Sequence, residues 1–138
     1  AECLQEALKL IEEGTVVPRP QEERYATYAP RLKKEDGHID WTRRARDIYN
    51  LIRGVIPWPG AYTFRQGSRL KIWWADWTDR PVDREAGEVI RVEKEAIEVS
   101  AGEGTLLLRE VQPENRRRMP VREYLAGYPL HPGERLGA

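Results

Sequence analysis

Asn115-Arg116-Arg117-Arg118 is the strongest chemical signal in this chain of 138 residues. Adjacent guanidiniums repel one another, so the run makes most sense where it meets anions such as phosphates. The plainer alternative is a solvated loop. Arg31, Lys33 and Lys34 form a second basic group, balanced in part by Glu35 and Asp36. Trp73, Trp74 and Trp77 form an aromatic cluster of the kind that stacks on unpaired bases. On an alternating strand Trp73 and Trp77 share one face and Trp74 takes the other, which sends at least one ring into the core.

Other chemistries find less support. His38 and His131 sit among Gly, Pro and charged residues, and neither has a neighbour at metal-ligand or triad spacing. Gly102-Glu103-Gly104 carries only the first two glycines of a dinucleotide loop and precedes an apolar strand. The single cysteine, Cys3, excludes an internal disulfide framework and a multi-cysteine zinc site, and reads as a small hydrophobe on a helix. The sequence is not expected to hold a complete active site or a metal. No run approaches the ~18 apolar residues of a membrane span, and no charged-then-apolar leader opens the chain. A soluble, cytoplasmic piece is expected. Ala1 with Met119 as the sole methionine suggests a processed or cut chain.

Basic and acidic residues cancel at 23 each, but not evenly along the chain. Residues 1–30 carry a net −3, 31–72 carry +6, 73–103 carry −5 and 104–138 carry +2. Two basic segments that share a face would present a positive surface despite an isoelectric point near 7.0. Arg outnumbers Lys 18 to 5, which suits phosphate and base-edge contacts. Mean hydropathy is low at −0.72, yet the many Trp and Tyr rings argue for a packed core.

The elements that must position these residues read as a helix, a linker and a mostly β domain. Leu4, Ala7, Leu8 and Ile11 fall on one helical face, with Gly14 where a C-terminal cap belongs. Two prolines then extend the chain through Val16–Gln21. A second helix is predicted from Thr42 as its cap, with Ala45, Ile48, Tyr49 and Ile52 as its buried stripe. Pro57-Trp58-Pro59-Gly60 stops it. Five strands follow: Ala61–Arg65, Leu70–Trp77, Gly87–Val92, Ala96–Ser100 and Thr105–Val111. Gln66-Gly67-Ser68 makes a hairpin turn, and a short helix starts at Pro120. The predicted class is mainly β (α+β), a small barrel or sandwich with one or two flanking helices.

Ala26-Thr27-Tyr28-Ala29-Pro30-Arg31-Leu32, Ile39-Asp40-Trp41, Ile52-Arg53-Gly54-x-x-Pro57-Trp58-Pro59-Gly60-Ala61, Leu70-Lys71-Ile72, Gly87-x-Val89, Gln112-Pro113-x-x-Arg116-Arg117-Arg118-Met119 and Pro132-Gly133-Glu134-Arg135-Leu136 follow in order. Together they resemble the C-terminal part of the methionyl-tRNA formyltransferase family. The resemblance implies that residues 1–14 are the last helix of a Rossmann-like formyl-transfer domain, 15–35 the interdomain linker and 36–138 an open β-barrel similar to an OB-fold. It implies formyl transfer from 10-formyltetrahydrofolate to methionine on initiator tRNA, in a protein expected to be monomeric. The family's catalytic Asn, His and Asp belong to the missing N-terminal domain. Asn50, Asn115, His38 and His131 lie outside such motifs, so no catalytic residue is carried over, and no cofactor is expected in this chain. Arg31, Lys33 and Lys34 in the linker and Arg116, Arg117 and Arg118 after the last strand match the family's basic motifs, which implies tRNA binding there. Arg53 matches the Ile-Arg-Gly motif, where a structural salt bridge is at least as good a reading. The alternatives are the packing domain of a sugar-nucleotide formyltransferase and a stand-alone RNA- or protein-binding module.

Overall fold

A computed structural model describes residues 2–137, leaving Ala1 and Ala138 outside the described residues. The chain divides into two units, residues 1–31 and 32–138. In the first, helix α1 (Glu2–Glu12) ends as its glycine predicts. Gly14 takes φ +67°, the Thr15 N–H donates to the Leu10 carbonyl at 3.0 Å and the Gly14 N–H to that of Ile11 at 3.1 Å. These two bonds satisfy carbonyls that the helix end would otherwise leave unpaired. Its apolar stripe of Leu4, Leu8 and Ile11 is exposed. A single 3₁₀ turn follows at Glu23–Tyr25.

The second unit opens with a 3₁₀ turn at Lys34–Gly37 and helix α2 (Ala45–Gly54). Ala45, Ile48 and Ile52 are each 1% exposed, as the helical spacing requires, while Tyr49 is half-buried. Thr42 is not the cap. Its N–H and hydroxyl both donate to Asp40 Oδ1, at 3.0 and 2.7 Å, a local turn that removes it from the helix. The Ala45 N–H instead donates to the Glu103 carbonyl at 2.8 Å, so a distant loop satisfies the donor a capping side chain would have taken.

Strands β1 (Ala61–Arg65), β2 (Ser68–Thr78), β3 (Val89–Glu93), β4 (Ala96–Ser100), β5 (Thr105–Pro113) and β6 (Met119–Pro120), then helix α3 (Val121–Gly127), complete the fold. The sheet is antiparallel and open, in the order β1-β2-β5-β4-β3 with β6 on β5. Five strands match the sequence pattern. The sixth, two residues long, is too short to show alternation. Gln66 (φ +50°) and Gly67 (φ +75°) form the two-residue hairpin turn, whose left-handed pair matches the twist of the flanking strands.

Alternation changes phase in mid-sheet. Ile72 and Ala75 on β2, and Val111 and Leu108 on β5, are all buried, yet each pair is three residues apart. The register is irregular at that point. Trp77 therefore follows Ala75 inward and packs against the core, while Trp73 stays half-buried on the outer face and Trp74 is 54% exposed. The expectation that Trp73 and Trp77 share a face fails because this irregularity shifts the side-chain phase by one. The buried tryptophan is Trp41, whose Nε1 donates to Thr63 Oγ1 at 2.9 Å.

Residues 133–137 join the sheet's two edges. The Gly133 and Leu136 N–H groups donate to Val89 and Gly87, and the Val89 N–H to Glu134, each at 2.8 Å. On the other edge the Gly137 N–H reaches the Phe64 carbonyl at 2.8 Å. Arg65 anchors the same segment, with Nη2 3.0 Å from Glu134 Oε2 and Nη1 3.1 Å from the Tyr124 hydroxyl. Burial pushes the Glu134 carboxyl up, but the His131 N–H and the Arg65 guanidinium outweigh it and hold the group below its usual 4.5. The folded state therefore binds fewer protons than the unfolded chain near that pH. The pair's stabilisation is complete above about 4.5 and is lost as pH falls through the lower folded value. Glu134→Gln should cost about 1–2 kcal/mol at pH 7 and flatten the fall in melting temperature between about pH 5 and 3, measured by thermal unfolding across that range. A parallel fall in both proteins would show that Glu134 does not carry it. No helix among the described residues is long and apolar enough to cross a membrane.

Candidate nucleic-acid interface

Directly opposed residues of an antiparallel pair share a face. Ala61, Ile72 and Val111 therefore line the core side, and Tyr62, Lys71 and Gln112 lie in a row on the outer side. Phe64 and Arg69 form the next row. The Arg69 guanidinium stands 4.9 Å from the centre of the Tyr62 ring, and His38 packs 5.3 Å from Tyr62 and 5.8 Å from Phe64. The hairpin's outer face is thus an alternation of rings and cations, an arrangement suited to a phosphate backbone and its bases.

Gln112 ties the arginine loop to that face. Trp73 Nε1 donates to Gln112 Oε1 at 2.9 Å, and Gln112 Nε2 donates to the Arg116 carbonyl at 2.7 Å. The loop itself turns through Asn115 at φ +57°, with the Arg116 N–H donating to Pro113 at 3.1 Å. The three arginines then diverge. Arg118 lies over the Trp73 ring at 5.1 Å and its Nε donates to Glu110 Oε2 at 2.7 Å. Arg117 is paired with Glu123 of α3. Arg116 is exposed and enters no ion pair among the described residues. Mutual repulsion in the run is relieved by two carboxylates, and one guanidinium is left for solvent or a ligand. Beside it opens a groove of about 700 Å³ lined in part by Asn115, Arg116, Arg117, Met119 and Tyr128.

The linker bases separate. Arg31 is exposed at the end of the first unit, while Lys33 and Lys34 are exposed where the second begins. The turn carrying Lys34 abuts the start of β1, since a Cβ on Gly37 would fall 2.3 Å from the Gly60 carbonyl oxygen. Lys71 reaches over the same glycine, its Nζ 3.7 Å from where a Gly60 Cβ would stand. Lys71 thus lies between the Gly37–Gly60 contact and Gln112, its register partner on β5. Arg69 and Lys71 were missed by sequence reasoning, although their place either side of Leu70 on an alternating strand marks them as outward. Arg53 lies over the Tyr49 ring at 5.3 Å and enters no ion pair among the described residues, so the salt-bridge reading is replaced by a stacked contact. Among the described residues no group of three or more His, Cys, Asp or Glu could hold a metal ion.

An open antiparallel sheet with flanking helices and an arginine loop at the end of β5 defines a domain class. The chain belongs to the formyl transferase C-terminal domain family, whose model matches residues 31–129. More particularly, it is similar to methionyl-tRNA formyltransferases. That of Geobacter sulfurreducens is 46% identical over 99% of this chain and 43% of its own length. That of Moorella thermoacetica is 49% identical over 99% of this chain and 44% of its own. The chain therefore spans less than half the length of these relatives. Among solved structures, a HypX variant from Aquifex aeolicus superposes with a TM-score of 0.67 at 21% identity, covering 96% of this chain and 24% of that one, a likeness of fold.

Proposed function

We propose that this domain binds and orients initiator tRNA for a cytoplasmic methionyl-tRNA formyltransferase. In this reading residues 1–14 are the last helix of the catalytic domain and its exposed leucines pack there, 15–35 are the linker, and 36–138 form the tRNA-holding barrel. The formyl donor, 10-formyltetrahydrofolate, and the reacting groups belong to that other domain. Arg116, Arg117, Arg118, Lys33, Lys34 and Arg31 supply phosphate contacts. These fix the position of the tRNA so that its aminoacyl end reaches the reacting groups, without reading base sequence. The exposed Arg116, which enters no ion pair among the described residues and whose backbone carbonyl is held by Gln112, is the observation that carries the reading, because a domain used only for packing has no need of an exposed guanidinium on a fixed loop backbone there.

The test is a titration of the full-length protein with initiator tRNA at two salt concentrations. Replacing Arg116, Arg117 and Arg118 by Ala is expected to weaken binding about tenfold and to lower the salt slope by one to three counterions, with the melting temperature nearly unchanged. An unchanged affinity would remove the loop from the tRNA site and favour the packing-domain alternative.

A further inference from the structure

Two of the three arginines are already occupied. Glu110 holds Arg118 and Glu123 holds Arg117, while Arg116 carries no such partner. The two carboxylates differ in freedom. The Glu110 side chain is 26% exposed on the sheet face and that of Glu123 is 43% exposed on α3. A phosphate and a carboxylate compete for the same fork of guanidinium N–H groups, with similar geometry and similar strength. Exposed ion pairs of this kind contribute little individually, so they are exchangeable. A ligand that offers one phosphate gains only Arg116. A ligand that presents several phosphates at fixed spacing can displace both carboxylates at once.

We propose that Glu110 and Glu123 are specificity-determining residues, acting as displaceable stand-ins for RNA phosphates that hold Arg118 and Arg117 in reserve for a ligand with several correctly spaced phosphates. The inference rests on the tRNA-binding reading above. Arg118 is released from Glu110 and from its place over Trp73, and Arg117 from Glu123, while Gln112 keeps the loop backbone fixed. The anions that pre-pair the arginines also keep them extended and apart, and they reduce the loop's attraction for isolated phosphates. Glu114, on the same loop, supplies an internal control. It accepts the Arg69 backbone N–H at 3.3 Å and pairs with no guanidinium among the described residues.

The experiment measures initiator-tRNA affinity of the full-length protein against salt for Glu110→Gln, Glu123→Gln and Glu114→Gln, each alone and in the background of the partnered arginine replaced by Ala. Glu110→Gln and Glu123→Gln should each tighten binding about two- to fivefold at low salt and steepen the salt slope by about one counterion. The Glu110→Gln gain should vanish when Arg118 is Ala, and the Glu123→Gln gain when Arg117 is Ala; Glu114→Gln should stay within about twofold in every background. Gains that survive loss of the partner arginine would reduce the effect to general charge repulsion and overturn the proposal, as would weaker binding on removing either carboxylate. If the triple arginine variant binds as wild type, the tRNA reading fails and the inference with it. If the triple variant is weakened while the carboxylate gains are uncoupled from the arginines, the inference alone fails.

Discussion

Gly102→Ala is expected to destabilise the domain by about 3–5 kcal/mol, among the larger effects a single methyl group can have. A Cβ there would lie 1.8 Å from the Thr42 carbonyl oxygen and 2.6 Å from its carbon. Both are backbone atoms, which cannot rotate aside as a flexible side chain would. The Gly102 N–H donates to the Trp41 and Arg43 carbonyls at 2.8 and 2.9 Å, and the neighbouring Glu103 carbonyl receives the Ala45 N–H at 2.8 Å. Relief requires the β4–β5 turn to withdraw, which breaks those bonds together and uncaps α2. Gly54→Ala is the contrast. Nothing lies within 4 Å of its Cβ position at the end of α2, so the added methyl should stabilise by up to about 1 kcal/mol through helix propensity. Urea unfolding of the two variants decides the matter. A Gly102→Ala loss below about 1 kcal/mol would mean that the turn slides without cost.

Replacing both Arg80 and Arg91 by Ala should cost about 3 kcal/mol. Glu98 is 3% exposed, and its carboxylate accepts from Arg80 Nη2 at 2.7 Å, Arg91 Nε at 3.2 Å and the Thr105 hydroxyl at 3.1 Å. Both guanidiniums are more than half exposed, so the pairing is asymmetric. Removing the buried member frees two charges that turn to water. Removing the outer members leaves a carboxylate in the sheet with one hydroxyl partner, the costly case. The expected loss falls at the low end of the ~3–5 kcal/mol for breaking a buried pair, because truncating two arginines also admits water to Glu98. Adding Glu98→Gln to the double variant should recover at least about 1 kcal/mol by removing the stranded charge, read as a rise in melting temperature of several degrees. No recovery would show that the arginines act through their aliphatic packing.

Strand identity was legible where one face is buried and the other partly wet, as in Ala61–Arg65, because a period of two leaves a direct trace; Ala96–Ser100, buried along its whole length, was legible from its β-branched residues between turns. The Gln66-Gly67 turn and the Gly14 helix end were legible because each needs a left-handed backbone. What escaped was decided by contacts far apart in sequence. Thr42 has the chemistry of a cap, but Asp40 claims its hydrogen bonds and Glu103 supplies the acceptor from across the fold. Trp73 and Trp77 have the spacing of a shared face, but the phase shift depends on β5 as well as β2. At the candidate interface, the Arg116–Arg118 run was plain from composition. Its division into two paired guanidiniums and one free one was not, since Glu110 and Glu123 lie on different elements. Arg69 and Lys71 were within reach of the alternation rule, but the place of Lys71 between Tyr62 and Gln112 emerges only from the sheet register.

The segment at 133–137 also dictates an order of assembly. It contacts β1 through Arg65 and Glu134, 69 residues apart in sequence, so the ends of the sheet meet only after every strand has formed its local hairpins. Closure at that separation is slow relative to hairpin formation. During synthesis the Phe64 carbonyl on β1 and the Val89 N–H and carbonyl on β3 therefore lack these partners until residues 133–137 have emerged, and an exposed strand edge invites pairing with another chain. The short stretch that bridges the sheet's edges thus also closes those positions to pairing with another nascent copy.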